Sequence, residues 1–192
     1  AVEAKDAEPH AHAERLAALA NRLGTAIDLD ADALRALAFG ALLHDVGQVG
    51  IREAILTKPG PLTRAEWADL RLHPLIGERL ARPFPLSPAF GPIVRNHHER
   101  WDGQGYPDGL RGEDIPIGAR IVGIVDAFDA MVHRRPYRDA RTPERAVAEL
   151  RRGAGKQFDP VLVQVFEGLV GELDAIVNAT PEQALRQMRL PG

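Results

Sequence analysis

The chain has 192 residues, of which 45% are hydrophobic, and its formal net charge is −3. This length suits one domain with a sizeable core, and the slightly acidic balance gives no basic field for binding duplex nucleic acid through its backbone. The chain contains no cysteine, which excludes disulfides and thiolate metal ligands, and it has no apolar run long enough for a membrane span. We therefore expect a cytoplasmic protein in which any metal is held by imidazole and carboxylate groups.

The first predicted helix carries Leu16, Leu19 and Leu23 at helical spacing. Glu8 and His12 are four residues apart and therefore share one face of this helix. They are either ligands aimed at the interior or an incidental pair in a solvated first turn. The chain begins with alanine and shows no signal peptide, so we expect an excised domain whose first helix continues an upstream linker.

A second helix, capped by Asp30 or Asp32, runs into the sequence Ala41-Leu42-Leu43-His44-Asp45-Val46-Gly47-Gln48. Neighbouring helical residues point about 100° apart, so His44 and Asp45 share one cavity only if something lies between them. An unpaired carboxylate in apolar surroundings is also costly. A metal ion held by both side chains is one solution, and a buried His–Asp hydrogen bond at the end of a structural helix is the other.

The next helix is predicted to begin at a capping box formed by Thr63 and Glu66. Pro74 disfavours helical geometry at His73, the residue before it. Lys58 lies in a connector rich in proline and glycine and is predicted to be a turn lysine.

Two adjacent histidines, His97 and His98, end a short apolar helix, and a long irregular loop follows them. Such a stretch in a compact domain usually has a function. Within it, Trp101 either packs the loop or contacts a substrate. Tyr106 is either a substrate contact or a turn residue held between a glycine and a proline.

The most apolar predicted helix, from Gly118 to about Val132, contains Asp126, a carboxylate that requires a cation or several donors. Asp129, one turn later, is expected to pair with an arginine. A basic cluster with Arg135 and Arg138 follows, and these arginines either bind phosphate or pair with nearby acids.

Further helices are predicted after Thr142, Asp159 and Thr180, the last of them ending at about Met188. No segment shows a pattern that is incompatible with a helix. The fold class expected from the sequence is therefore all-α, a bundle of about seven helices with the long loop after His98.

Eight histidines and carboxylates at helix ends or in apolar faces are candidate ligands: Glu8, His12, His44, Asp45, His73, His97, His98 and Asp126. His10 and His133 are left over and are expected at the surface. Eight ligands exceed what one metal uses, whereas two or three metals with a shared carboxylate could use them all. Paired metals suit in-line attack on phosphorus, and a cavity made net positive by them favours a phosphodiester.

The order of short motifs along the chain resembles the HD-GYP family. These motifs are His12-x-x-Arg15, His44-Asp45, Lys58-Pro59-Gly60, His73-Pro74, His97-His98-Glu99, Asp102-Gly-Gln-Gly-Tyr106-Pro107, Asp126-x-x-Asp129-Ala-Met131, Arg135-Pro136-Tyr137-Arg138 and Gln157-Phe158-Asp159-Pro160. The resemblance covers nearly the whole chain and implies that residues 1–192 form a single catalytic domain with the HD-domain helical bundle. It further implies a phosphodiesterase that hydrolyses cyclic di-GMP to pGpG, and on to GMP, by attack of a hydroxide that bridges two metals. The expected cofactors are two or three divalent metals, iron or manganese before zinc or nickel.

The resemblance also implies a role for each site residue. Asp45 is expected to bridge two metals, with one set of ligands formed by His12, His44 and Asp126. The other set is expected to be His73, His97 and His98. Glu8 matches the extra carboxylate of members with three metals, and the expected substrate contacts are Tyr106, Arg135 and Arg138.

Gln48 departs from the family pattern, in which a lysine usually follows the glycine of the His-Asp motif. Glutamine donates a hydrogen bond but carries no charge and transfers no proton at neutral pH. Two alternatives therefore stand beside the enzyme: a cyclic di-GMP-binding signalling module with little turnover, and a hydrolase of another cyclic dinucleotide. Expected partners are an upstream sensor or receiver domain, GGDEF proteins, and a second copy that pairs through the first helix.

Overall fold

The computed structural model describes residues 9–84, 88–133, 140–177 and 183 of the chain. The α-helices within these residues run in the order α1 (Pro9–Ala26), α2 (Ala31–Leu43), α3 (Glu53–Leu56), α4 (Arg64–Leu70), α5 (His73–Ala81), α6 (Phe90–Asn96), α7 (Ile117–Val132), α8 (Pro143–Gly153), α9 (Pro160–Gly168) and α10 (Val170–Val177). Two 3-10 helices span Val46–Gly50 and Gly112–Asp114. Glu8, Arg135, Arg138 and the helix predicted after Thr180 lie outside the described residues, apart from Gln183.

The all-α prediction is confirmed. The only β-type pairing within the described ranges is an isolated bridge between Ala154 and Phe158. The helix predicted after Asp159 is divided at Leu169 into α9 and α10. None of the described helices combines the length and the apolar character needed to cross a membrane.

The helix starts follow the predicted capping signals. Asp30 caps α2 by accepting a hydrogen bond from the backbone N–H of Ala33. Thr63 and Glu66 form the predicted capping box of α4. His73 is the first residue of α5, so the expectation that it lies outside helical geometry is wrong. Pro74 is tolerated there because the N–H it lacks would have no intrahelical partner in the first turn.

The main core lies where α1, α2 and α7 pack together and are closed by the C-terminal helices. Leu16 and Leu19 of α1 are fully buried, as the helical spacing predicted, together with Val125 of α7. Phe128 of α7 meets Phe166 of α9 edge to face, with ring centroids 5.0 Å apart. Each such side chain contributes about 1.5–3 kcal/mol by leaving water. This core therefore fixes α1 and α7 side by side, with His12 and Asp126 among their side chains.

Gly47 allows the turn after Asp45 to lie against the backbone of α5. A Cβ atom at Gly47 would lie 1.9 Å from the carbonyl oxygen of His73 and 2.5 Å from the backbone nitrogen of Gly77. A residue with a side chain would therefore push the two segments apart. The missing side chain brings Asp45 beside the first residue of α5.

Candidate metal centre

Histidines and aspartates from five helices converge on one cavity at the end of the bundle. His44 ends α2 and Asp45 follows it. Two groups have ligand atoms within 4.8 Å of one another: Asp45, His73, His97 and His98 in the first, and His12, His44 and Asp126 in the second. Seven of the eight predicted ligands are thus brought together, and the eighth, Glu8, lies outside the described residues.

The carboxylate of Asp45 faces both groups. Its Oδ1 lies 3.2 Å from Nε2 of His73 and 3.7 Å from Nε2 of His97. Its Oδ2 lies 3.4 Å from Nε2 of His44. The two oxygens therefore point towards different imidazoles, which is the arrangement of a bridging carboxylate.

Three of the histidines are held in one orientation by their own helices. Nδ1 of His44, His73 and His97 lies 2.8 Å from a backbone carbonyl oxygen three residues earlier, on Ala41, Leu70 and Val94 respectively. A carbonyl oxygen only accepts, so Nδ1 donates the hydrogen in each case. In the neutral imidazole the lone pair is then on Nε2, which faces the cavity, and this is the usual way in which a second hydrogen bond orients a metal-ligating imidazole.

His12 is oriented by a carboxylate instead. Its Nδ1 donates to Oδ2 of Asp129 over 2.7 Å, and its Nε2 lies 3.6 Å from Oδ1 of Asp126. Asp129 is 1% exposed and is bound by Nε of Arg15 over 2.9 Å, which confirms the predicted arginine partner. His133 was expected at the surface, but it is partly buried, and its Nδ1 lies 3.0 Å from Asp129.

The imidazoles of the cavity differ in the direction in which their pKa values are shifted. Burial opposes a charge on His44, but the carboxylates of Asp45 and Asp126 outweigh it and raise the pKa of His44 to about 10. Burial also opposes ionisation of Asp45, yet the neighbouring His44 holds the pKa of this carboxyl well below its usual value. Burial, reinforced by repulsion from His97, lowers the pKa of His98 well below the ordinary histidine value. His98 is therefore a neutral imidazole, the form that binds a metal.

The residues present fit a divalent cation. The buried Nε2 of His44 makes no well-formed hydrogen bond within the part of the chain that the structure describes, although Oδ2 of Asp45 lies 3.4 Å away. A cation between these two atoms would satisfy both. The donors are imidazole nitrogens and carboxylate oxygens, a set that suits iron, manganese or zinc. His44, His73 and His97 are buried, each at most 3% exposed.

The remaining predicted residues lie around this cavity. The ring of Tyr106 stacks on the imidazole of His98, with centroids 4.8 Å apart and planes at 25°. Gln48 lies in the 3-10 helix that follows Asp45. Trp101 both packs near the guanidinium of Arg120 and lines a cleft beside His98, so its two predicted roles are compatible.

Lys58 has a structural partner. Its Nζ lies 2.6 Å from Oε2 of Glu66, the glutamate of the capping box. This contact ties the proline-rich connector to the start of α4. The prediction of a turn lysine is therefore favoured over a contact with substrate.

Two further residues beside the cavity were given no role from the sequence. Glu99 accepts hydrogen bonds through Oε1 from the backbone N–H groups of Asp108 and Gly109, at 2.7 and 3.0 Å, and so closes the long loop. Arg71 lies with its guanidinium carbon 5.1 Å from the ring centroid of Tyr106. The sequence places Glu99 in the motif His97-His98-Glu99 but does not reveal its partners, because they are nine and ten residues away. Trp67 and Arg71 are four residues apart, and this helical spacing could have indicated that Arg71 contacts an aromatic ring.

A family model described as an HD domain matches residues 1–162, and the chain belongs to the HD domain family. The chain is 39% identical over 183 residues to a cyclic di-GMP phosphodiesterase of Thermotoga maritima, covering 94% of this chain and 50% of that protein. It is 38% identical over 184 residues to 3′3′-cGAMP-specific phosphodiesterase 2 of Vibrio cholerae, covering 95% and 35% respectively. A crystal structure of a cyclic GMP-AMP-specific phosphodiesterase of V. cholerae matches with a TM-score of 0.75 at 25% identity, covering 94% of this chain and 49% of that one.

The resemblance to the HD-GYP family seen in the sequence is thereby confirmed. The chain spans between a third and a half of the length of the two curated relatives described above.

Proposed function

We propose that the chain is a metal-dependent phosphodiesterase that hydrolyses cyclic di-GMP to linear pGpG and then to GMP. The observation that supports this most is the position of Asp45, whose two oxygens face two separate sets of imidazoles. A shared carboxylate between two ligand sets is what a pair of cations requires. The alternative interpretation of His44-Asp45 was a structural His–Asp hydrogen bond. Such a bond would require one imidazole, whereas five lie at this site.

We assign the first cation to His12, His44 and Asp126 and the second to His73, His97 and His98, with Asp45 between them. Glu8, by the family resemblance, would complete a third site. Iron or manganese is the expected metal. When bound, such cations lower the pKa of a coordinated water molecule and neutralise the oxygens of a phosphate.

The protein residues hold and orient the reactants. Asp129 keeps the His12 ring turned with Nε2 towards Asp126. The imidazoles of His97 and His98 stay neutral and retain their lone pairs, because burial lowers their pKa values. Asp45 stays ionised and so keeps the negative charge that two cations need. Catalysis of this kind depends on position and charge, and no protein nucleophile is required.

Gln48 and the substrate contacts belong to the same proposal. Gln48 can donate a hydrogen bond to the leaving oxygen or to a water molecule, but the departing group must take its proton from solvent. Tyr106 lies against His98 and would contact the nucleotide at the rim of the cavity. Arg135 and Arg138 are assigned to its phosphates by the family resemblance.

The test is product analysis after anaerobic incubation with ferrous iron or with manganese. We expect linear pGpG from cyclic di-GMP, and loss of turnover by at least about a hundredfold in Asp45→Asn. Asp32→Asn is the matched control, because Asp32 is an exposed aspartate in the first turn of α2. Recovery of intact cyclic di-GMP from a metal-loaded protein would contradict the proposal.

A binding module with little turnover is the second candidate, and the glutamine at position 48 favours it. Tight binding of cyclic di-GMP without any product would support this candidate. Gln48→Lys then separates the two: a gain in turnover shows that the uncharged side chain limits an enzyme. 3′3′-cGAMP is assayed in parallel, because relatives with either substrate in their names match this chain at 39% and 38% identity.

A further inference from the structure

Arg71 lies at the end of α4, in contact with the rim of the candidate metal centre. Its guanidinium carbon is 5.1 Å from the ring centroid of Tyr106 and 5.9 Å from that of Trp67. The ring of Tyr106 in turn stacks on His98. One aromatic ring therefore separates this cation from an imidazole of the cavity.

The other arginines near the cavity that the structure describes are neutralised by carboxylates. Arg15 binds Asp129, Arg95 binds Glu78 and Asp108, Arg100 binds Asp102, and Arg120 binds Asp159. Arg71 is exposed, and across the described ranges its guanidinium contacts aromatic rings but no carboxylate. Its positive charge is thus available to an anion.

Arg71 is exposed, so its hydrogen-bond donors remain accessible beside the aromatic contacts. A guanidinium over an aromatic ring uses its face, whereas its N–H groups point outwards in its plane. Trp67 is anchored against the small apolar cluster of Ile55, Leu62 and Leu70, so the platform beneath Arg71 is held in place. A planar fork in this state matches the two oxygens of a phosphodiester.

We propose that Arg71 binds the second phosphate of a cyclic dinucleotide while the first phosphate lies at the histidine cluster, and that it thereby selects two-phosphate rings over simple phosphodiesters. This inference rests on the proposed function. A cyclic dinucleotide carries two phosphodiesters on opposite sides of its ring, so its second charge must lie outside the cavity. Among the described residues, Gln48 supplies no charge to meet it, whereas Arg71 supplies one beyond the ring of Tyr106, in addition to Arg135 and Arg138, which the family resemblance assigns to the phosphates.

The test compares two substrates on the full chain loaded with manganese. Cyclic di-GMP carries two phosphates, whereas bis(p-nitrophenyl) phosphate carries only the one that reacts. For Arg71→Ala we expect kcat/KM for cyclic di-GMP to fall by about 10- to 100-fold, mainly through KM, because a charged hydrogen-bonded contact is lost. Hydrolysis of bis(p-nitrophenyl) phosphate should stay within about twofold of the wild type, because no second phosphate is present.

Arg71→Lys should restore part of the loss, since it keeps the charge but lacks the planar fork. Arg79→Ala is the control for a surface arginine, because Arg79 lies exposed on α5. An Arg71→Ala protein with unchanged KM for cyclic di-GMP, or with equal losses on both substrates, would overturn the inference.

Failure of the proposed function gives a different result. In that case the wild type itself leaves cyclic di-GMP intact, and the affinity for cyclic di-GMP, measured by calorimetry, replaces KM as the readout. A tenfold or greater weakening in Arg71→Ala then still supports the role of Arg71. Equal affinity in both proteins, or no binding by either, overturns it.

Discussion

Asp129 accepts a 2.7 Å hydrogen bond from Nδ1 of His12, a residue 117 positions earlier in the chain. The other oxygen of this buried carboxylate is held by Arg15, one turn further along the helix that carries His12. The pair of contacts connects the packing of α1 on α7 to the direction in which His12 presents Nε2. An orienting carboxylate of this kind is expected to affect both stability and metal affinity.

Asp129→Asn tests this connection. Removing the charge leaves Arg15 buried without its partner, so we expect the free energy of unfolding to fall by about 3 kcal/mol. Metal affinity should fall by about 10- to 100-fold, because the His12 ring loses its orienting acceptor. Urea unfolding and competition with a fluorescent chelator measure the two effects. Asp69→Asn, at an exposed ion pair with Arg52, is the control and should change stability by about 0.5 kcal/mol or less.

The position of Asp45 between the two ligand groups predicts a specific pattern of metal content. Asp45→Asn should lower the occupancy of both ligand groups, because its carboxylate faces both. His73→Ala should affect mainly one group and leave about one metal per chain. Elemental analysis of protein purified without oxygen and dialysed against manganese gives the two stoichiometries. Equal metal content in the two variants would argue against a bridge.

Metal binding should depend on pH through His44. In the metal-free protein the pKa of His44 is raised from 6.5 to about 10, because Asp45 and Asp126 outweigh the effect of burial. The proton therefore stabilises the metal-free fold fully below about pH 6.5, and this contribution is lost as the pH rises through about 10. A metal must displace the same proton, so apparent manganese affinity should rise about tenfold per pH unit between about pH 7 and 9 for each proton released.

Calorimetry in two buffers with different ionisation enthalpies counts the released protons directly. A binding constant that stays flat over this pH range would show that His44 carries no proton before the metal binds.

Gly47→Ala should disturb the site through the backbone. The added methyl would overlap the carbonyl oxygen of His73, so the turn after Asp45 must move away from α5. We expect a loss of about 2–3 kcal/mol in the free energy of unfolding, together with weaker metal binding. Gly91→Ala is the matched control: the nearest atom to its Cβ is 3.8 Å away, and alanine favours the helix by about 1 kcal/mol. Similar losses in both variants would contradict the close-approach argument.

The sequence by itself determined the helical class and the candidate ligands. The spacing of Leu16, Leu19 and Leu23 defined the buried face of α1, and the capping signals at Asp30 and Thr63 defined where helices begin. These are local properties, set by the 3.6-residue period and by the backbone N–H groups left free at a helix start. The family motifs also assign His44 and Asp45 to a candidate metal site.

Only the tertiary structure decided which of these groups meet. The spacing of residues along the chain did not predict the hydrogen bond between His12 and Asp129. It also did not predict that the two oxygens of Asp45 face different histidines, or that Arg71 contacts the ring of Tyr106. The sequence-based predictions for two histidines were wrong. His73 was expected outside helical geometry but begins α5, and His133 was expected at the surface but contacts Asp129. The physical reason is that such contacts join residues distant in the chain, and their geometry follows from the packing of α1 on α7 and of the turn at Gly47 on α5. Periodicity predicts the face on which a residue lies, but packing decides what that face touches.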